Sequence, residues 1–328
     1  MLESLLTRRH VLRAAAELDG TGLSGCTSAV EKKRSTGDRP YFDRADWLWE
    51  PIPAAPILDP HSGAMVDLLQ QGYHGANLWD FGVTLRGPEL VTPSTPRYDI
   101  DFANVPEWGS DPFGSDTMPI PVDTPVPPGS DGHVAIADPT TNQTYNLWRA
   151  VNRGSQWGAS WGAKTALDGD GREPDGYSST GAGLARFAAV VRVSEIATGA
   201  IPHALFFSTD MAAPAANFRY PAPRSDGSNP AHVATPIPEG ARVQLDPTID
   251  IESIPGITPF EKVVAKALQT YGAYCGDNGG ARMAFMFEFE DGTNPGATYL
   301  AAGASEDAFE MTHIPWARLR VLNSWNGR

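Results

Sequence analysis

"HVAIADPTTNQTYNLWRA", residues 133–150, is the stretch that decides the class of fold. Two alternating runs flank the turn-forming "DPTTNQ", a β-hairpin signature. Val134 and Ile136 fall on one face of the first run, and His133, Ala135 and Ala137 on the other. Outward from this hairpin the chain continues in short strand-like pieces: "QWGASWGAKTAL", "RFAAVVRV", "IPHALFFST", "ANFRYPA" and "ARVQLDP". The turn signals "DGDG", "SDG" and "PEG" separate them.

One segment has a different period. In "TPFEKVVAKALQTYGAY", residues 258–274, apolar Phe260, Val263, Val264, Ala267, Leu268 and Tyr271 recur at helical spacing. Thr258 and Glu261 make a capping box around Pro259, and Gly272 is a natural stop. A strand follows in "RMAFMFEFED", with Met283, Phe285, Phe287 and Phe289 sharing one face. These readings predict a mainly β fold, a jelly-roll or concanavalin-like β-sandwich with one long amphipathic helix on a sheet. The alternative is an α+β domain around a single antiparallel sheet.

The composition agrees. Of 328 residues, 33 are Gly and 29 Pro, yet 41% are apolar, too many for a disordered chain. A net charge of −14 disfavours nucleic acid and anionic lipid as partners.

The first residues read as an address. "TRRHVLRAAA", residues 7–16, resembles a twin-arginine export signal, and "LSGC", Leu23–Cys26, a bacterial lipobox. Glu17 and Asp19 interrupt the apolar run, and an ordinary helical N-terminus is the alternative. The export reading divides the chain into a signal over 1–26 with lipidation at Cys26, a flexible tether over 27–45, and one β-rich domain over 46–328. That domain begins with a Pro-rich arm. The product is exported, and either lipid-anchored at the outer face of the cytoplasmic membrane or secreted. The only other cysteine is Cys275, so no disulfide is expected, and no run of 18 apolar residues is present to span a membrane.

The motifs of several familiar chemistries are missing: no G-x-S-x-G elbow, Walker loop, dinucleotide fingerprint or H-E-x-x-H occurs. "LDGDGREPDG" offers Asp168, Asp170 and Asp175 for calcium, but Arg172 occupies a ligand position and the closing glutamate is lacking. We therefore expect no cofactor and read this stretch as a turn.

Candidate chemistry lies elsewhere. Asp131 stands just before His133, where its carboxylate could orient the imidazole; a turn aspartate beside a partly exposed histidine is the alternative. His203, in "IPHALFFSTD", shares a face with Ile201, Leu205 and Phe207, and is either a core histidine or part of a cleft floor. Glu288 and Glu290 share a strand face, with Cα atoms about 6.6 Å apart. That spacing suits the carboxylate pair of a glycosidase, and equally two solvent-facing residues. Asp277 is a further candidate, or a turn residue. Trp148, Trp157 and Trp161 could stack on sugar rings or pack a core. Trp157 and Trp161, four apart, are expected on one strand face.

The segments "SDGHVAIADPTTNQTYNLW", "GAIPHALFFSTD", "YPAPRSDG", "IPEGARVQLDP" and "ALQTYGAYCGDNGG" resemble an uncharacterised family of exported bacterial proteins, over about residues 46–322. The resemblance implies export and a single domain, and carries no activity or catalytic residue.

Together these readings point to an exported surface protein acting on extracellular polysaccharide, leaning to an enzyme, a glycoside hydrolase of neutral glycans. Glu288 and Glu290 would be catalytic with His203 or His133 in support; Asp131, Trp148, Trp157, Trp161 and Asp277 would bind substrate. A non-catalytic lipoprotein binding glycan or cell wall, and a polysaccharide lyase, are the alternatives. The membrane is met only through the lipid anchor.

Overall fold

The computed structural model describes residues 39–328 apart from Ala189 and Pro230. The export signal, Cys26 and the first part of the tether lie outside the described residues. The rest of the expected tether does not behave as one. Tyr41, Phe42 and Ala45 are buried, and the Phe42 amide donates to the Leu167 carbonyl at 2.6 Å. Two adjacent aromatic rings gain too much by leaving water to hang in a linker, so the folded body starts ahead of Asp46.

Among the described residues strand exceeds helix, and the strands form several open sheets rather than a barrel. The largest has seven strands. From edge to edge they are Phe309–Glu310, His74–Asn77, Met283–Met286, Leu205–Thr209, Ala273–Asn278, Arg242–Leu245 and Leu319–Val321. Their pairing is mixed: His74–Asn77 with Met283–Met286 and Leu205–Thr209 with Ala273–Asn278 run parallel, the other pairs antiparallel. A second sheet has the order Trp161–Ala166, Gln143–Trp148, His133–Asp138, Val83–Arg86. Its central pair is the expected hairpin, closed by residues 139–142. Asp138 locks that turn by accepting from the Thr140 amide and the Thr140 and Thr141 hydroxyls.

Alternation along the strands sorts the core into layers. Leu205, Phe207, Ala273, Cys275, Val243, Leu245, Met283 and Phe285 point to one side of the large sheet and join one apolar cluster. There they meet the helix Pro259–Thr270 through Phe260, Val263, Val264, Ala267 and Leu268. Phe206, Tyr274 and Met286 point the other way and share a second cluster with Val83, Leu85, Ala135 and Ala137 of the smaller sheet. Val134, Ile136, Tyr145 and Leu147 face a third cluster under the Pro-rich arm, with Ile100, Phe102 and Trp157. The two sheets also touch at a corner. Val83 donates to the Phe287 carbonyl at 2.9 Å, and Phe289 to that of Val83 at 2.8 Å.

The long helix starts as its sequence dictates. The Glu261 amide donates to Thr258 Oγ1 at 3.1 Å, and the Thr258 amide to Glu261 Oε2 at 3.0 Å. Glu261 also accepts from the His313 amide at 2.9 Å, which ties the cap to the C-terminal chain. Replacing Thr258 with Ala should therefore cost about 1 kcal/mol of stability, read as a lower denaturation midpoint with an unchanged slope.

Candidate functional site

The register between Leu205–Thr209 and Ala273–Asn278 slips once. Phe207 pairs with Cys275, but Ser208 pairs with Asp277, so Gly276 is passed over. Without that bulge Asp277 would follow Ala273 and Cys275 toward the helix side. One extra residue reverses the phase, and Asp277 turns with Ser208 toward the second sheet. Glycine suits the bulge, because a β-carbon at position 276 would stand 3.1 Å from the Phe206 ring.

That face opens into a cavity of about 800 Å³, lined by both sheets and the loops between them. The size is that of pockets holding small organic ligands. One wall is aromatic. Trp148 and Trp161 are cross-strand partners. Trp108, 51% exposed, stacks on Trp148 with centroids 6.1 Å apart, and Tyr177 stacks on Trp161 at 6.2 Å. Flat rings on a sheet suit the apolar face of a sugar.

The floor is polar. Arg186, only 3% exposed, donates from Nη2 to Asp277 Oδ2 and to the Ser179 carbonyl, both at 2.9 Å. The Gly181 amide donates to Asp277 Oδ1 at 3.1 Å. Asp226 approaches from its loop: a β-carbon at Gly181 would lie 2.2 Å from Asp226 Oδ1 and 2.9 Å from Asp277 Oδ1. Only glycine leaves room for the two carboxyls to converge. Beneath, the buried Glu173 holds the 178–181 loop through the Ser179 amide at 2.8 Å and the Ser179 hydroxyl.

These acidic groups have unlike environments. Burial raises the Asp277 carboxyl to about 6, against the lowering effect of Arg186, and the Asp226 charge adds to the rise. Burial raises Glu173 to about 7, against its hydrogen bonds from Ser179. Glu239 is fully buried behind the floor and neither of its oxygens finds a donor. Burial, then Asp226 beside it, then the Asp277 charge hold it well above the usual carboxylate range, so it is a neutral acid at pH 7. Burial pushes the His133 imidazole well down, helped by the Arg186 charge, so it too is neutral.

The fold gathers Asp131, His133, Trp148, Trp161 and Asp277 around this one cavity. His133 Nδ1 has no partner, so Asp131 does not orient the ring through that nitrogen. Glu288 and Glu290 are not among the lining residues. Each caps a short helix instead: Glu288 accepts from the Val193 amide at 2.9 Å, and Glu290 from the Thr298 amide at 2.9 Å and its hydroxyl at 2.6 Å. Unpaired amides at helix starts attract carboxylates, and both side chains are spent there. His203 is likewise absent from the cavity. The strand begins only at Leu205, and the imidazole lies fully buried between the Ala204 carbonyl and Glu195. Trp157 and Trp161 do not share a face, because Ser160 separates two strands and Trp157 packs into the core under the arm. The three aspartates considered for calcium have separate neighbours. Asp168 accepts from Asn142, Asp170 from the Arg172 amide, and Asp175 lies exposed 3.9 Å from Arg224. Among the described residues no group of three or more His, Cys, Asp or Glu is placed to hold a metal ion.

Trp108, Tyr177, Arg186, Asp226 and Glu239 stand in no motif of the sequence that marks them for a site. Asp226 and Glu239 stand in "SDG" and "PEG", which read as turns, and Arg186 sits in what read as a strand. Compared with protein-family models, with curated proteins and with solved structures, the chain matches none.

The carboxyl behind the floor yields a test. Folded Glu239 binds its proton more tightly than the unfolded residue, whose pKa is near 4.5. The group therefore favours the folded state at low pH and loses that contribution as pH rises from about 4.5 toward the folded value. Glu239→Gln, neutral and isosteric, should gain stability relative to the parent on going from pH 4.5 to pH 8. The gain is measured by denaturant unfolding at both pH values, and an equal pH dependence in parent and variant would contradict it.

Proposed function

We propose that the protein is exported and acts on extracellular polysaccharide as a glycoside hydrolase of neutral glycans. The observation that carries the reading is a pair of dissimilar carboxyls, Asp226 and Asp277, converging at Gly181 in a tryptophan-walled cavity. Hydrolysis of a glycosidic bond needs one carboxyl that keeps a proton and one that does not. Asp277, raised to about 6 on a rigid strand, suits the acid. Asp226, exposed on its loop, suits the partner that acts as base or nucleophile. Trp108, Trp148 and Trp161 would stack on the sugar rings. Acidic Asp131, Asp226 and Asp277 alongside Arg186 and Arg224 leave the lining without a positive excess, which favours neutral sugars. In architecture, the apolar layer between the two larger sheets supports a sandwich of jelly-roll or concanavalin-like type. Export with a lipid anchor at Cys26 fits a polymer substrate that cannot enter the cell.

A second reading, a non-catalytic glycan- or cell-wall-binding lipoprotein, is favoured by one observation. Both Asp277 oxygens already accept hydrogen bonds, from Gly181 and Arg186.

Release of reducing ends from a panel of neutral glycans separates the two. Under the first reading Asp277→Asn and Asp226→Asn each lower kcat by about 10²–10⁴-fold, Glu288→Gln retains activity, and wild-type activity declines above about pH 6 as Asp277 loses its proton. Binding without product release, lost in Trp108→Ala, would establish the second reading. Full activity in both Asp variants would remove the catalytic assignment.

A further inference from the structure

Three buried polar atoms on residues that line the cavity have no hydrogen-bond partner: His133 Nδ1, Arg186 Nε and Asn278 Oδ1. Buried polar groups ordinarily find partners, and a ligand seated in the cavity can supply them to these three. Their chemistry limits what that ligand can be. A neutral imidazole carries one N–H and one lone pair. Nδ1 is the ring nitrogen left without a partner, and it gives or takes a hydrogen bond according to the tautomer. Arg186 Nε is a donor only, and an amide oxygen an acceptor only. The floor thus offers a donor, an acceptor and an imidazole nitrogen that can serve as either.

Resting on the glycan reading above, we infer that His133, Arg186 and Asn278 form a hydroxyl-recognising subsite, and that its ligand is a neutral sugar unit with free hydroxyls. A hydroxyl both donates and accepts, so a polyol can satisfy all three atoms. A carboxylate can satisfy Arg186 but not the amide oxygen of Asn278. It would meet the Asn278 lone pairs, with Asp277 held 2.9 Å from the same guanidinium. A sugar unit seated between this floor and the aromatic wall presents its hydroxyl edge to the first and a carbon face to the second. Specificity then rests on which hydroxyls reach His133 and Arg186, whereas the tryptophans accept any flat pyranose or furanose face.

Calorimetric titration of the protein tests this with gluco-, manno-, galacto-, xylo- and arabino-oligosaccharides, their O-methylated forms, and oligouronides. At least one neutral series should bind. O-methylation should weaken that ligand by about tenfold or more, as should His133→Phe. His133→Gln, which keeps an acceptor, should lose less. Nitrogen NMR of labelled histidine should show the His133 Nδ1 resonance shifting as the sugar binds. Equal affinity for the methylated sugar, tighter binding of an oligouronide, an Nδ1 resonance unmoved by the sugar, or unaltered binding by a folded His133→Phe would each overturn the subsite while leaving glycan binding intact. Failure of every sugar to bind the wild type would overturn the glycan reading and the subsite with it.

Discussion

Everything in this fold is arranged around the apolar layer that two sheets share. Phe206, Tyr274 and Met286 from one sheet and Val83, Leu85, Ala135 and Ala137 from the other must be covered simultaneously, because neither sheet has another way to shield that face. Small alanines on the hairpin share this layer with large rings on the seven-stranded sheet. Trp47 and Phe42, from the chain ahead of the first long strand, close the layer at its margin. The chain that leaves Met286 then passes from one sheet toward the other, so the two cannot slide independently.

The cavity lies where this layer changes from hydrocarbon to polar groups. A single slipped residue at Gly276 makes the change, turning Asp277 out of the helix-side core and into the space beside Ser208. Once a carboxylate is there, its surroundings follow from the cost of burying charge. Arg186 and the Gly181 amide compensate Asp277. Glu239, with no cation at hand, keeps its proton. Groups held this way weaken the fold locally.

Much of the fold was legible in the sequence because local rules and tertiary packing agree there. The hairpin, the capping box at Thr258 and the alternating Met283–Phe285–Phe287 face appear as read. The tether expected over 27–45 gives way at Tyr41 and Phe42, whose burial depends on residues far along the chain. The glycosidase-like spacing of Glu288 and Glu290 was real, but two short helices that the sequence announces weakly claim those carboxylates. Asp131, His133, Trp148, Trp161 and Asp277 do meet in one cavity. No local signal could show that they share it with Asp226, that Glu239 lies behind it, or that a bulge decides which way Asp277 faces. The motif segments "SDGH", "YPAPRSDG" and "YCGDNGG" lie far apart in the chain, and the fold brings residues of all three to the cavity.

The contrast between rim and floor sets how such a site can diversify. Asp277, Ser208 and His133 stand on paired strands whose reverse sides are core, so insertions or deletions there disturb the whole domain. Trp108, Tyr177 and Asp226 are carried by loops, whose lengths and sequences can drift with little harm to what lies beneath. Change confined to those loops would reshape the rim and leave the base as it stands.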